Sequence, residues 1–158
     1  KVNGPAVGLG CSLALFCDFV YATPRSKFAD PHVSVGLVAG DGGCVIWPQL
    51  IGYARAKKYL LTGEMIKAEE ALDMGLIAEV FAEDEIDNEV QALAEKLRDG
   101  AKYSIRWTKT SINAGLKVMA NSIIDRAAAF ENVTQLMEDH KIALEAFAKK
   151  ETPKFKQK

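Results

Sequence analysis

Histidine and cysteine are both scarce in this chain: 158 residues hold two of the first and three of the second. His32 and His140 stand at no metal-ligand spacing with each other or with a Cys, Asp or Glu cluster, so no zinc or other metal is expected. Cys11, Cys17 and Cys44 form no CxxC pair and leave an odd thiol, which argues against a disulfide framework. Reduced, buried thiols suit a cytoplasmic compartment. Also missing are a run of about eighteen apolar residues and a leader with a charged, an apolar and a small-residue part, so neither a membrane segment nor a signal peptide is expected. The formal net charge is only −1, without the basic excess that a phosphate-tracking surface shows, and nucleic acid is not expected as a partner. Lys149, Lys150, Lys154, Lys156 and Lys158 do cluster, and by themselves read as a solvated tail. There is no internal repeat and no low-complexity segment. What is present is an ordinary interior: with 49% hydrophobic and 26% charged residues the chain is long enough for one sizeable core and too short for two.

The stretch from Lys1 to Ala22, KVNGPAVGLGCSLALFCDFVYA, carries the strongest local signal. Val2 starts a strand, Asn3-Gly4-Pro5 punctuates it, and Leu9 to Cys17 is continuous and apolar enough for a buried helix. A strand that stops in a Gly-rich turn and restarts at once as a helix leaves backbone N–H groups pointing forward, where they can hold a developing negative charge. Gly8 and Gly10 let the backbone approach something closely. A dinucleotide fingerprint is excluded because Leu13 stands where its third small residue belongs, and the Gly-Lys-Ser/Thr ending of a P-loop is absent.

Downstream, Phe19 to Ala22 and Ser26 to Ala29 read as brief strands, and Gly36 to Gly43 as a turn-rich loop. A helix over Cys44 to Ile51 is expected to end or bend at Pro48. A second helix runs from Gly52-Tyr53 through Leu61 and stops at Thr62-Gly63. Lys67 to Met74 is a short helix before Gly75, and Leu76 to Phe81 a strand. From about Glu83 the pattern becomes all helical, over Asp84 to Arg98, Tyr103 to Val118, Asn121 to Met137 and Glu138 to Lys150. Two stripes, Ile105, Thr108, Ile112, Leu116 and Ile123, Ala127, Phe130, Leu136, read as packing faces.

Four segments, in this order and spacing, resemble the crotonase (enoyl-CoA hydratase/isomerase) superfamily: NGPAVGLGCSLALFCDFVYA at residues 3–22, KFADPHVSVGLVAGDGG at 27–43, YLLTGEMIKAEEALDMGLIAEV at 59–80, and the tail ending EAFAKKETPKF at 145–155. The resemblance implies an α/β fold, a crotonase-like spiral of ββα units over residues 1–82, followed over 83–158 by a helical cap and trimerisation region. The chain opens without Met in the middle of a strand, so it is expected to be the carboxyl-terminal part of a longer domain. In the family the preceding part carries the other oxyanion N–H and much of the coenzyme A contact. The implied partners are an acyl-CoA substrate and further copies of the chain, as a homotrimer or a dimer of trimers. No cofactor is implied beyond the substrate's own coenzyme A thioester, whose phosphates would lie near the lysine-rich tail.

Carried over position by position, the family assigns the backbone N–H of Leu9 to the thioester oxygen, with Gly8, Gly10 and Gly40 as substrate-contacting positions. Hydratases of the family place two glutamates at the positions of Ser12 and His32, where they hold and activate water; both are replaced here. A Ser hydroxyl is no base unaided and can hydrogen-bond locally. His32 can serve as general base or acid near neutrality. Asp41, on the AGDGG loop, either bonds the far ring nitrogen of His32 and stabilises the imidazolium, or caps the helix that begins after it. The catalytic candidates are therefore Leu9, Ser12, His32 and Asp41. The reaction implied is enoyl-CoA hydration or isomerisation through a thioester enolate. The pattern PH…SVGLVAGDGG…WP also resembles the oxocamphor hydrolase branch, which implies His-dependent C–C hydrolysis of a cyclic diketone. Loss of both glutamates leaves a third expectation, a catalytically silent relative acting as an interaction subunit.

Overall fold

A computed structural model describes residues 1–156; Lys158, the last of the basic cluster, lies outside the described residues, while the other four lysines of that cluster are exposed. Strands are short and confined to the first half. β1 (Pro5–Val7) pairs in parallel with β3 (Lys27–Ala29), placing Ala6 beside Phe28, and β3 pairs antiparallel with β4 (Ile66–Lys67), placing Phe28 beside Ile66. β2 (Tyr21–Ala22) pairs in parallel with β5 (Glu79–Val80), and Val2 adds an isolated bridge to Ala22. The strands expected over Phe19 to Ala22 and Leu76 to Phe81 are thus cut to two residues each; in the second, Leu76 and Ile77 turn back on the preceding helix through bonds to the Ala71 carbonyl.

Helices supply most of the mass. α1 (Leu9–Leu15) leaves β1 at once, α2 (Gly43–Thr62) follows the loop, and α3 (Ala68–Asp73) links β4 to β5. After Val80 come α4 (Ile86–Asp99), α5 (Lys102–Gln135) and α6 (Glu138–Lys149), with no strand between them. Two expectations are corrected. Pro48, the sixth residue of α2, lies inside it without ending it; the break falls at Gly52 (φ 77°, ψ 160°), where the second helix was expected to begin, in a conformation open to glycine. The expected break between Val118 and Asn121 is also absent, because Met119-Ala120 offers neither a Gly nor a Pro to stop the helix, and α5 runs through as 34 residues.

The core gathers Cys11 and Leu15 of α1, Phe28 of β3, Ile46, Trp47 and Tyr59 of α2, Ile66, Ala71 and Leu76. α5 lies across α2. Its first apolar stripe, Ile105, Thr108, Ile112 and Leu116, lines a cavity of about 660 Å³ against Leu15, Phe16 and Ile46 instead of closing on it. Of the second stripe only Ala127 is buried, while Phe130 and Leu136 face outward. No helix among the described residues is long and apolar enough to cross a membrane.

Candidate functional site

The chain passes from β1 to α1 across Gly8 alone, at φ 57° and ψ −128°. The N–H groups of Cys11 and Ser12 both turn back to the Gly8 carbonyl, at 2.9 and 3.1 Å. Those of Leu9 and Gly10 have no acceptor among the described residues, as the first N–H groups of a helix do not, and are free to donate to a ligand.

His32 opens a four-residue 3-10 turn, His32–Val35, directly after Pro31. Its ring lies beside the Gly8 turn: a Cβ on Gly8 would sit 3.7 Å from His32 Cε1. Nδ1–H donates to Asp30 Oδ1. Nε2 lies 3.6 Å from Asp41 Oδ2 and 3.9 Å from Glu131 Oε1. The His32, Asp41 and Glu131 side chains are 13, 15 and 19% exposed and that of Asp30 not at all, so the cluster is sheltered but reachable from solvent on its Nε2 side. The hydrogen bond to Asp30, together with the charges of Asp30, Asp41 and Glu131, holds the imidazole pKa above its ordinary 6.5 against the opposing effect of burial. Burial pushes the neighbouring Cys11 thiol up to about 12 and raises that of Cys44, so neither is a nucleophile at neutral pH.

The structure brings His32, Asp41, Ser12 and the Leu9 turn together, with changes of role. The carboxylate on the far ring nitrogen is Asp30, two residues before His32, because the turn through Pro31 folds it back onto the ring. Asp41 arrives from the loop on the opposite side, where its Oδ1 accepts the Ser12 hydroxyl at 3.1 Å and its Oδ2 faces Nε2. Nor does Asp41 cap α2; Gly42 occupies that position, and no side chain bonds the helix start. Ser12 is buried and serves as the hydrogen-bond donor that holds Asp41. Gly10 is exposed, and a Cβ there would meet nothing within 4 Å among the described residues, so none of them needs the close approach expected at that position. Gly40 is buried under α5, where a Cβ would fall 2.5 Å from Ala127 O and 2.6 Å from Glu131 Oε2, so a glycine there lets the loop pack against α5.

Sequence reasoning missed Asp30 and Glu131. The Asp30-Pro31-His32 run carried a signal for the first, since a proline between two polar side chains favours a turn that lets them meet. Glu131 carried none, being brought in by the packing of α5. Asp30 Oδ2 has no hydrogen-bond partner among the described residues, yet it lies against Gly43, the first residue of α2, where a helix start favours a carboxylate. Asp30, His32 and Asp41 also place one ligand atom each within 4.8 Å of the others, a grouping able to hold a metal ion that linear spacing does not reveal.

The profile of the "Enoyl-CoA hydratase/isomerase" family matches residues 1–158. A short-chain-enoyl-CoA hydratase of Clostridioides difficile is 39% identical over 124 residues, covering 78% of this chain and 79% of that protein. A crotonyl-CoA hydratase of Syntrophomonas wolfei is 34% identical, covering 98% of this chain and 59% of that one. Among solved structures, a carnitinyl-CoA dehydratase from Mycobacterium avium superposes with a TM-score of 0.90 at 32% identity, covering 98% of this chain and 62% of its own. An enoyl-CoA hydratase/isomerase from Mycobacterium paratuberculosis gives 0.85 at 39%, covering 90% and 56%. The chain thus spans about three-fifths of the length of most of these relatives. Its α/β architecture, a strand-and-helix part followed by helices, is a partial crotonase fold.

Proposed function

Since the chain belongs to the enoyl-CoA hydratase/isomerase family, we propose that it serves hydration or isomerisation of enoyl-CoA thioesters through an enolate. One observation supports this reading: the imidazole of His32 lies against the same Gly8 turn that leaves the Leu9 N–H without an acceptor among the described residues, so an acid–base group and an oxyanion donor stand on one turn. In hydration, His32 Nε2 takes a proton from water as the oxygen adds to the β-carbon. The thioester oxygen gains the negative charge and accepts the Leu9 N–H, and the imidazolium then returns the proton to the α-carbon. In isomerisation the same Nε2 removes a proton from one carbon and returns it to another. Asp30 fixes the tautomer, while Asp41 and Glu131 stabilise the imidazolium. The substrate's own coenzyme A thioester is the only cofactor-like group this chemistry needs.

The test is crotonyl-CoA turnover. His32→Ala is expected to slow it by roughly 10² to 10⁴. Asp41→Asn is expected to slow it too, since an amide cannot offset the imidazolium charge. A full-rate His32→Ala would remove His32 from the mechanism.

A second reading has its own support. Three carboxylates around one imidazole, in place of a pair of glutamates, suit a water-activating histidine that hydrolyses a C–C bond of a cyclic diketone. The same variants assayed on a diketone separate the two. Binding of acetyl-CoA without turnover of either substrate would leave the silent interaction subunit. Self-association as a trimer is part of the proposal, supported by the outward-facing Phe130, Leu136 and Phe147, and a cytoplasmic setting is supported by three free cysteines.

A further inference from the structure

Glu131 is one link from the helical region to the site; a second lies farther along the chain. His140, in the first turn of α6, is half-buried, and its Nδ1–H donates to the Val35 carbonyl at 2.7 Å. Val35 closes the 3-10 turn that His32 opens. Within that turn Ser34 N–H bonds Pro31 O, Gly36 N–H bonds Val33 O, and Leu37 N–H bonds His32 O, at 2.9, 3.1 and 2.9 Å. No backbone N–H among the described residues reaches Val35 O, so without His140 this half-buried carbonyl would stand unpaired. The two segments also touch through their backbones. A Cβ on Gly36 would lie 2.8 Å from His140 N and 2.9 Å from Asp139 C, so α6 sits flush on the end of the turn. Farther along, Val38 N–H donates to Thr134 Oγ1 at 3.3 Å.

We propose that His140 is a positioning residue for His32: by tying the far end of the His32 turn to α6, it holds His32 Nε2 in register with Asp41 and Glu131. The ring of His32 is anchored locally only at Nδ1, by Asp30, whereas its Nε2 must meet groups from two other elements, the loop before α2 and the helix α5. Such a three-way meeting depends on how the turn is seated, and His140 is a side chain that seats it through a hydrogen bond. The bond needs only a proton on Nδ1, which both the corresponding neutral tautomer and the charged ring carry. The inference rests on the proposed acid–base role of His32 for its catalytic consequence, but the geometry can be tested without substrate.

The experiment follows the His32 ring by NMR across a pH titration of the full chain, in the wild type, His140→Ala and His140→Asn. Asparagine carries an amide nitrogen on Cγ, where histidine carries Nδ1, and can donate to the same carbonyl. Expected is a His32 midpoint lowered by about one pH unit in His140→Ala, the order that a neighbouring carboxylate contributes, and restored in His140→Asn. A midpoint unmoved in His140→Ala, or moved alike in both variants, would overturn the proposal. Should the alanine variant not fold, His140→Gln, whose amide lies one carbon farther out, is read in its place against His140→Asn by the same criteria. Absence of crotonyl-CoA turnover by the wild type would sink the proposed function and leave this readout intact.

Discussion

Up to Val80 the molecule buries a set of large apolar side chains, although others such as Leu13 and Leu61 stay exposed; from Ile86 onward it buries almost none. Trp47, Phe28, Ile66 and Leu76 are all but inaccessible in the first part. In the helices beyond, Ile86 and the small Ala127, Ala143 and Ala146 are buried, while Leu136 and Phe147 remain 81 and 78% exposed. Alanines let helix backbones come close without contributing much apolar area, so the helical region is seated by close approach and by a few polar contacts instead of by bulk. Three of those contacts converge on residues 32–41: Glu131 faces His32, Thr134 holds Val38, and His140 holds Val35, while Asp87 pairs with Lys1 and Lys109 with Asp18. The first part holds most of the buried core, and the second part brings Glu131 to the site.

The strongest challenge to that contrast is Trp47→Ala, which is expected to cost about 3–5 kcal/mol, the usual range for emptying a large aromatic site in a core. Denaturant unfolding measures it, and a loss below about 1 kcal/mol would mean the first part is not held by burial. Gly40→Ala probes the seam between the parts. Its methyl group must push against Ala127 O and the Glu131 side chain, at an expected cost of about 1–3 kcal/mol. If the seam matters to the site, the same variant should also draw Glu131 away from His32 and lower the His32 midpoint. Loss of stability with an unchanged midpoint would separate packing from site geometry.

Dependence on pH sharpens the comparison further. His32 has a folded-state pKa raised above 6.5, so the stability it adds is complete below that value and disappears as pH rises through the folded pKa. Unfolding free energy should therefore fall across that window in the wild type and fall less in His32→Asn; superimposable profiles would show that the carboxylates around the ring do not favour its charged form. The smallest effects are expected outside. Leu136→Ala and Phe147→Ala should each change the stability of the monomeric chain by no more than about 0.5 kcal/mol. A larger loss that grows with protein concentration would show that a second copy covers this face.

Where each element could be read in the sequence depended on how local its cause was. The stops at Gly63 and Gly75 were legible because a glycine ends a helix by its own backbone freedom. The turn at Gly8 and the helix after it were legible for the same reason. Pro48 misled, since the helix runs on past it, whereas the break at Gly52 was legible from that glycine's own backbone freedom. The break expected between Val118 and Asn121 is absent because nothing in Met119-Ala120 stops a helix, and a long helix can turn one face to α2 and another to solvent.

For the site, the residues by themselves marked the strand-to-helix turn with free N–H groups, since that is a property of a single turn, and the resemblance to the family placed Ser12, His32 and Asp41 beside it. Which carboxylate takes Nδ1, which faces Nε2, and that Glu131 joins them were decided only by the tertiary structure. The distances involved are set by three elements packing on one another, and an interaction that falls off over a few ångströms leaves no trace in the spacing of residues along the chain.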